Sequence, residues 1–472
     1  MKAILSNLGF VMQISGISII IPIVISFLYH ETTATIALFI TAIVFFAFGF
    51  ILNVLCERKE LTFKQSSSLI VLAFIFLSVI GAIPYLYVGI SQGVIFQRIT
   101  DSIFESASGF TTTGFSIIPD LSVLPQSLLF YRALTQFIGG IGIVLILLAF
   151  FYPDKKLQEF SRSMNMNENH KIKRTFAMIL VIYLIYSIVM VGAGFLFGYK
   201  DIVKLILFVF SALSTGGFAP LNDITTLAAH APLSYILIIS MILGASNFIV
   251  LAGLFKLKIK EFLKSEVTIF IIMSIVSIAI IRWVFQLSLF DSIFHSISAM
   301  STTGFSYLPI QNFTDNLKLF FIVLMFIGGA SLSTAGGIKI FRFILVLKAA
   351  KKVIVDSIRK EDNKIHLFGK EYTNMEVIQS LAIVILMAGI ILTASVILNA
   401  HNFNPIDSAF EATSAISTTG LSVGIVGPSL AVELKWLFIF LMLLGRVEVL
   451  AFLIMFSRTR EQSNNHQAEA DL

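Results

Sequence analysis

Four short Ser/Thr-Gly runs carry the chemistry that this sequence suggests. Each run follows a stretch that favours a short helix, and it ends on a glycine followed by a large apolar residue. The runs occupy residues 111–115, 214–218, 301–305 and 417–421. Glycine permits positive φ angles and a close approach of other backbone, so successive carbonyl groups of such a run can face one axis. Rings of backbone carbonyls replace the hydration shell of a cation.

The residues at and just before each glycine are therefore the candidate cation ligands. They are Thr112, Thr113, Gly114, Thr215, Gly216, Gly217, Thr302, Thr303, Gly304, Thr418, Thr419 and Gly420. The short helix before each run would point the negative end of its dipole, about half an elementary charge, at the same place. The runs contain no carboxylate, which favours a monovalent, weakly hydrated cation over a divalent one.

A single run is better explained as a helix end packed against another helix, which membrane proteins use freely. Four runs in register, each between two long apolar stretches, favour a different explanation. Four copies in one chain can surround one axis, so a single polypeptide can build a pseudo-fourfold pore.

Composition excludes an ordinary soluble protein, because 57% of the 472 residues are hydrophobic and only 13% are charged. The sequence predicts an all-α polytopic membrane protein with two N-terminal transmembrane helices and four helix–pore-loop–helix repeats in pseudo-fourfold arrangement. The predicted N-terminal spans are 5–29 and 34–55. The predicted helix pairs of the repeats are 67–90 with 127–151, 174–198 with 233–255, 266–287 with 317–348, and 375–398 with 433–456. Half-helices too short to span are predicted near 101–111, 202–213, 291–300 and 407–416.

The same pattern divides the chain into six segments. These are the two N-terminal helices (1–60), pore repeat 1 (61–152), pore repeat 2 (171–258), pore repeat 3 with an intramembrane gating loop (265–350), pore repeat 4 (371–458) and a cytoplasmic tail (459–472).

The basic residues predict the orientation of these segments in the membrane. The formal charge of +6 does not point to nucleic acid, because lysines and arginines fall in short runs between apolar segments. They concentrate in the linkers between repeats, whereas few lie beside the Ser/Thr-Gly runs. The positive-inside rule therefore predicts cytoplasmic linkers, cytoplasmic termini and Ser/Thr-Gly runs on the outer side.

A glycine-rich stretch at 326–339 interrupts the second helix of repeat 3. Each glycine costs about 1 kcal/mol in a helix relative to alanine, so the stretch predicts a break near the middle of the bilayer. The candidate gate residues are Gly328, Gly329, Ser331, Ser333, Thr334, Gly336, Gly337 and Lys339. The alternative is a close-packed helix face of small residues.

Arg446 is the second candidate gate element, because a charge inside a span is costly unless it is paired or faces water. Glu448 lies two residues on and points to a different helix face. We expect Arg446 to face the pore below the Ser/Thr-Gly runs, where it raises the barrier for a cation and engages the loop. A structural ion pair with another helix is the alternative.

Other polar residues within apolar segments receive supporting roles. Gln136 and Asn247 are expected to satisfy helix–helix hydrogen bonds. Glu105, His295 and Glu411 occupy one aligned position of the half-helices and are expected to brace the loops from behind.

The four glycines, the 326–339 stretch and the segment 444–448 resemble the superfamily of K⁺ transporters that includes the Trk, Ktr and plant HKT proteins. The two helices before the first repeat are similar to the Trk branch. Repeat 2 departs from the pattern, with Lys204 in place of an aspartate, and repeat 4 ends on Leu421 rather than phenylalanine. These departures bear on the symmetry of the site and leave its glycines intact.

The resemblance implies K⁺ uptake across a bacterial cytoplasmic (inner) membrane, with K⁺ held at the candidate ligands. It implies a homodimer on a cytoplasmic, nucleotide-binding ring of Trk-regulator type, with no organic cofactor in this chain and no nucleic-acid partner. A Na⁺-coupled Ktr-type subunit is the first alternative, and symport with H⁺ or Na⁺ and passive flux both stay open. An intramembrane enzyme using Ser246 or Ser333 is an alternative of another class, but a histidine positioned nearby in a span is lacking.

Overall fold

The fold of this chain is a bundle of apolar helices. The computed structural model describes residues 2–56, 61, 63–151, 171–222, 224, 231–254, 262–359, 365–368 and 370–456. Two helical spans precede the repeats, formed by α1 (Lys2–Ser18) with α2 (Ile20–Leu28) and by α3 (Thr32–Leu55). The predicted tail 459–472 and most of the basic linker residues lie outside the described residues.

Four repeats follow, and each contains a first helix, a half-helix and a second helix. Repeat 1 comprises α4 (Phe63–Ile80), α5 (Ile83–Val88), the half-helix α6 (Ile95–Phe110) and α7 (Gln126–Phe151). Repeat 2 comprises α8 (Lys171–Leu196), the half-helix α9 (Ile202–Leu213), α10 (Ala231–Ala245) and α11 (Phe248–Leu254). Repeat 3 comprises α12 (Glu266–Trp283), the half-helix α13 (Leu289–Met300), α14 (Asp315–Ile327) and α15 (Ile340–Arg359). Repeat 4 comprises α16 (Asn374–Ala400), the half-helix α17 (Pro405–Ile416), α18 (Val432–Val447) and α19 (Val449–Phe456).

A short β-hairpin between repeats 3 and 4 was not predicted. Its strands β1 (Ile365–Leu367) and β2 (Lys370–Tyr372) pair antiparallel, with Ile365 opposite Tyr372. The helical fold class predicted from the sequence is confirmed, with this hairpin as a small addition.

The repeats are joined in a cyclic order by one recurring contact. The second helix of each repeat packs on the half-helix of the next, so α7 packs on α9, α10 on α13, α14 on α17, and α18 on α6. Because the last of these contacts returns to repeat 1, the four repeats surround a common axis.

Two predicted spans contain a short irregularity, although Lys2–Leu28 and Lys64–Val88 each remain a single apolar span. The N-terminal span divides between α1 and α2 at Ile19. Pro22 lies three residues further on, and proline removes a helix hydrogen bond and clashes with the preceding turn. In repeat 1 the predicted helix 67–90 divides between α4 and α5 at Gly81 and Ala82.

The second helices of repeats 2 and 4 are broken, although the sequence predicted continuous spans at 233–255 and 433–456. The first break falls at Ser246 and Asn247, where the Asn247 carboxamide oxygen accepts from the N–H groups of Ile249 and Val250. The second break falls at Glu448, which has a φ of 65°. The axes of α18 and α19 differ by 94° at this residue. Such breaks leave backbone groups unpaired, and these are tolerated at membrane depth only inside protein or beside water.

Six described helices are long and apolar enough to cross a membrane, or seven with the bent pair α18 and α19. The sequence predicted ten spans. The difference lies in the second helices, because three of them are interrupted and the fourth, α7, lies partly outside the described residues. Large apolar side chains such as Ile188, Trp283 and Leu392 are exposed on the outside of the bundle, as lipid contact requires.

Candidate functional site

The four Ser/Thr-Gly runs meet in a closed ring. We call residues 111–114, 214–217, 301–304 and 417–420 the glycine loops. A Cβ atom on the last glycine of each loop would overlap a carbonyl oxygen of the next loop, well inside the 3.0 Å that Cβ atoms keep from other atoms. The pairs are Gly114 with Gly216, Gly217 with Thr303, Gly304 with Thr419, and Gly420 with Thr113. Because the fourth pair returns to the first loop, the loops surround one axis in chain order.

Each glycine loop has the same unusual backbone. The threonine two residues before the last glycine has a positive φ, between 50° and 53° at Thr112, Thr215, Thr302 and Thr418. The final glycines also have positive φ, between 77° and 87°. Positive φ is a genuine outlier for a β-branched residue, and such strain persists where the surrounding structure imposes it, often at functional sites.

The N–H groups of the loops point back at the half-helices. The N–H groups of Thr113, Gly216, Thr303 and Thr419 donate to carbonyls near the ends of the half-helices at 2.8–3.0 Å. Among the described residues, no donor contacts the carbonyls of Thr113, Thr303 or Thr419. These oxygens therefore remain available as ligands, and the negative ends of four helix dipoles lie directly beside them.

Repeat 2 departs from this pattern, and a side chain that the sequence analysis placed elsewhere compensates. The Gln136 amide donates to the Gly216 carbonyl at 2.6 Å, and its oxygen accepts from the N–H group of Phe218 at 3.2 Å. Gln136 therefore binds a glycine loop, so the prediction of a helix–helix hydrogen bond was wrong. Asn247 caps α11 in its own repeat, which corrects the same prediction there.

Two of the three aligned half-helix residues brace the chain just after a glycine loop. Glu105 accepts from the Ser116 hydroxyl at 3.0 Å, and Glu411 accepts from the Ser422 hydroxyl at 2.6 Å. Both also accept backbone N–H groups of that segment. His295 instead shares a hydrogen bond with the Asp291 carbonyl and packs edge-on against Tyr307, with ring centroids 4.6 Å apart.

Arg132 was missed by the sequence analysis. Its guanidinium pairs with Glu105 at 2.6 Å, where the side chains are 2% and 0% exposed, and it lies over the Phe218 ring at 4.1 Å. Arg132 thereby links Glu105, which braces the chain after the first glycine loop, to Phe218, which follows the second glycine loop. A lone arginine in a predicted apolar span was the available signal, the same signal that identified Arg446.

The candidate gate residues form a loop that packs against the ring of glycine loops. This 328–339 loop separates α14 from α15. The Gly336 N–H group donates to the Thr302 hydroxyl at 2.6 Å, and the hydroxyls of Thr215 and Thr334 are 3.2 Å apart. A Cβ atom on Gly336 would overlap the Ser417 carbonyl. The loop therefore touches three of the four glycine loops through these contacts.

Arg446 holds the 328–339 loop to two other repeats. Its guanidinium donates to the Thr334 carbonyl at 2.8 Å and to the Gly139 carbonyl at 2.7 Å, and the residue is 2% exposed. The expected contact with the loop is present, and the partners are carbonyls rather than the carboxylate of the alternative. Glu448 pairs instead with Arg342 at 2.7 Å.

Two further hydrogen bonds hold the 328–339 loop within repeat 3. Lys339 is buried and donates to the Ala335 carbonyl within the loop. The Ser331 N–H group donates to the Glu266 carboxylate at 2.6 Å. The Arg342–Glu448 pair joins the start of α15 to the break in repeat 4.

Two of the four contacts between repeats carry an ion pair. Lys318 of α14 contacts Asp407 of the next half-helix at 2.7 Å, and Lys435 of α18 contacts Asp101 at 2.6 Å. In the loops that follow the glycine loops, the Asp120 carboxylate of repeat 1 accepts from Ser122 and from Asn222 of repeat 2. The Ser122 hydroxyl and then the Asn222 amide lower the pKa of the Asp120 carboxyl.

A set of glycines in the second helices was also missed. A Cβ atom on Gly139, Gly244 or Gly445 would overlap the last carbonyl of a half-helix, at Phe110, Leu213 and Ile416 respectively. They lie 25–27 residues after the final glycine of the loop in their own repeat. Gly328 lies at a similar distance after Gly304. An alignment of the four repeats therefore reveals these glycines.

Comparisons with known proteins agree with this geometry. The family model for TrkH, described as a cation transport protein, matches residues 34–266 and 265–468. An uncharacterized cation transporter of Methanocaldococcus jannaschii is 32% identical over 97% of this chain and 95% of its own. The Trk system potassium uptake protein TrkG of Escherichia coli is 24% identical over 95% and 96%. The crystal structure of the potassium transporter TrkH from Vibrio parahaemolyticus shares the fold, with a TM-score of 0.84, 21% identity and coverage of 97% and 98%.

Proposed function

The chain belongs to the TrkH family of cation transport proteins, and from that premise we propose that it takes up K⁺ across the cytoplasmic membrane. Relatives in Escherichia coli and Halomonas elongata are named Trk system potassium uptake proteins. These relatives are transporters, so the chain is not an enzyme. The serines considered for an intramembrane enzyme donate to backbone carbonyls, Ser246 to Ile242 and Ser333 to Ala330.

One observation carries the proposal, namely the closed ring of glycine loops. The carbonyls of Thr113, Thr303 and Thr419 lack a protein donor among the described residues, and their loops meet through backbone contacts. Carbonyl oxygens without a carboxylate suit a monovalent cation that sheds its water at modest cost. In this proposal the twelve candidate ligand residues form the selectivity filter.

The 328–339 loop and Arg446 act as the gate in this proposal. The loop contacts the hydroxyls of Thr215 and Thr302, so an ion leaving the ring toward the loop meets backbone rather than water. Arg446 adds a buried positive charge beside the same path, which opposes a cation. Opening requires the loop to move aside while the glycine loops keep their geometry.

Partners and orientation complete the proposal. The family resemblance suggests a homodimer on a nucleotide-binding cytoplasmic ring that moves the 328–339 loop. The multi-pass chain has both termini in the cytoplasm, in keeping with its basic linkers. A Na⁺-coupled uptake mechanism is the competing version.

The test is ion flux through purified protein in liposomes. With a K⁺ gradient and a membrane potential as driving forces, we expect K⁺ flux that exceeds Na⁺ flux. Flux no greater than that of protein-free liposomes would exclude the function. Adding a Na⁺ or H⁺ gradient in turn distinguishes the versions, because a coupled transporter moves K⁺ against its own gradient and a passive pore does not.

A further inference from the structure

One glycine loop lacks a hydroxyl that the other three share. Thr113, Thr303 and Thr419 stand immediately before the final glycine, whereas repeat 2 has Gly216 at that position. In the three complete loops this threonine hydroxyl bonds the hydroxyl two residues earlier, at 2.8, 2.7 and 2.9 Å respectively. Gly216 cannot form this brace.

Gln136 of α7 occupies the space that the missing side chain leaves. A Cβ atom on Gly216 would overlap the Gln136 carboxamide, so a threonine at 216 and the present Gln136 conformation exclude each other. Gln136 is 0% exposed and bonds the chain on both sides of Gly217, through the Gly216 carbonyl and the Phe218 N–H group.

The pairing of glutamine with glycine is unique among the four repeats. Three residues before the aligned glycines of the second helices stand Gln136, Met241, Met325 and Met442. All three methionines are buried at 0% exposure. The chain thus places methionine in the helices that pack on the threonine loops, and glutamine in the helix that packs on the glycine-substituted loop.

We propose that Gln136 is a specificity-determining positioning residue of the second glycine loop. This inference rests on the proposed K⁺ selectivity of the ring. The Gln136 amide fixes the loop in place of the missing hydroxyl brace. The same amide donates a hydrogen bond to the Gly216 carbonyl, while the equivalent carbonyls of the other loops have no donor among the described residues. Repeat 2 therefore presents one carbonyl oxygen that already accepts a hydrogen bond from a side chain, which fixes its position and makes it a weaker ligand for the ion.

The test exchanges the repeat 2 pattern for that of the other repeats. Q136M removes both hydrogen bonds, and we expect the K⁺-to-Na⁺ flux ratio to fall about tenfold, equivalent to about 1.4 kcal/mol. G216T alone should also lower the ratio, because its side chain meets Gln136. The double variant Q136M/G216T should exceed both single variants, because it rebuilds the methionine and hydroxyl arrangement.

Wild-type selectivity in Q136M would overturn the inference, and so would a double variant whose flux ratio is no higher than that of the better single variant. M442L is the matched control, since it changes the shape of the aligned residue in another repeat and should keep the wild-type ratio. Elution volume and thermal unfolding in detergent report whether each variant folds.

A variant that keeps the shape of the side chain guards against misfolding. Q136E retains an acceptor for the Phe218 N–H group and loses the amide donor to Gly216, so its flux ratio should also fall. An unchanged ratio in folded Q136E would count against the inference. Wild-type protein without K⁺ flux would instead exclude the proposed function, so the two failures are distinct.

Discussion

The final glycine of each glycine loop is the residue on which the ring depends. At Gly304 the φ angle is 86° and a Cβ atom would overlap the Thr419 carbonyl of the next repeat. Any L-residue there is strained in its own backbone, and its side chain displaces a candidate ion ligand of the neighbouring loop. A Cβ atom at this position therefore causes both backbone strain and a clash with the neighbouring loop.

We predict that Gly304→Val abolishes K⁺ flux or removes K⁺ over Na⁺ discrimination, as measured in liposomes. Thr302→Ser should be much milder, because it keeps the carbonyl and the hydroxyl that accepts from Gly336. Gly389→Val is the matched control, since a Cβ atom there meets nothing within 4 Å. Unchanged selectivity in Gly304→Val and in the equivalent variants of Gly114, Gly217 and Gly420 would reject the pore assignment.

At the scale of elements, the break in each of three second helices sets the geometry beneath the ring. The 328–339 loop fits into the break of repeat 2, where Ala330 and Thr334 donate N–H groups to the carbonyls of Ala245 and Gly244 at 3.0 Å. Arg446 contacts the same loop from repeat 4. The loop is thus held by hydrogen bonds to other repeats, and its buried Leu332 and Ile338 also pack in apolar clusters with residues of those repeats.

We predict that Arg446→Ala raises K⁺ flux and weakens its dependence on the cytoplasmic partner, because it removes a buried positive charge and the hydrogen bond to the Thr334 carbonyl of the 328–339 loop. Shortening that loop by a few residues should do the same. Selectivity should be retained in both, since the glycine loops are unchanged. Flux is measured in liposomes with and without the partner.

Arg282→Ala serves as the control for loss of an arginine, because that side chain donates to the Leu287 carbonyl just beyond the end of α12. If both gate variants show wild-type flux and the wild-type dependence on the cytoplasmic partner, the gate lies elsewhere. Lower flux in both would mean that these residues support the pore wall.

At the scale of the whole molecule, four repeats of one chain form a ring whose members are not equivalent. Ion pairs join repeat 3 to repeat 4 and repeat 4 to repeat 1. The aligned position in repeat 2 holds Lys204, which pairs with its own neighbour Asp201 at 3.1 Å. A single chain can therefore assign different tasks to its repeats, which four identical subunits cannot.

We predict that cysteines at Asp315 and Ser429 react with impermeant thiol reagents from outside intact cells, while cysteines at Lys264 and Lys351 do not. All four residues are exposed, so labelling reports the side of the membrane. The background is Cys56→Ser, which removes the one native cysteine. The opposite labelling would reverse the orientation, and mixed labelling would contradict the division into repeats.

The sequence determined the helical membrane fold, the four repeats and the positions of the half-helices to within a few residues. It did so because apolar periodicity, glycine content and the placement of charge are local properties. The extents of α9, α13 and α17 follow the predicted half-helices closely, whereas α6 begins at Ile95 rather than near residue 101. The 328–339 loop also falls where its glycines predicted a break.

Only the tertiary structure decided which groups meet across repeats. Gln136 and Gly216 are 80 residues apart, and Arg446 and Gly139 are 307 apart, so no local pattern links them. The sequence around a glutamine in an apolar helix is the same whether its side chain bonds another helix or a loop. The packing of two repeats decides which partner it has. The contacts that make the ring asymmetric are of this kind, and they follow from how the four repeats close around one axis.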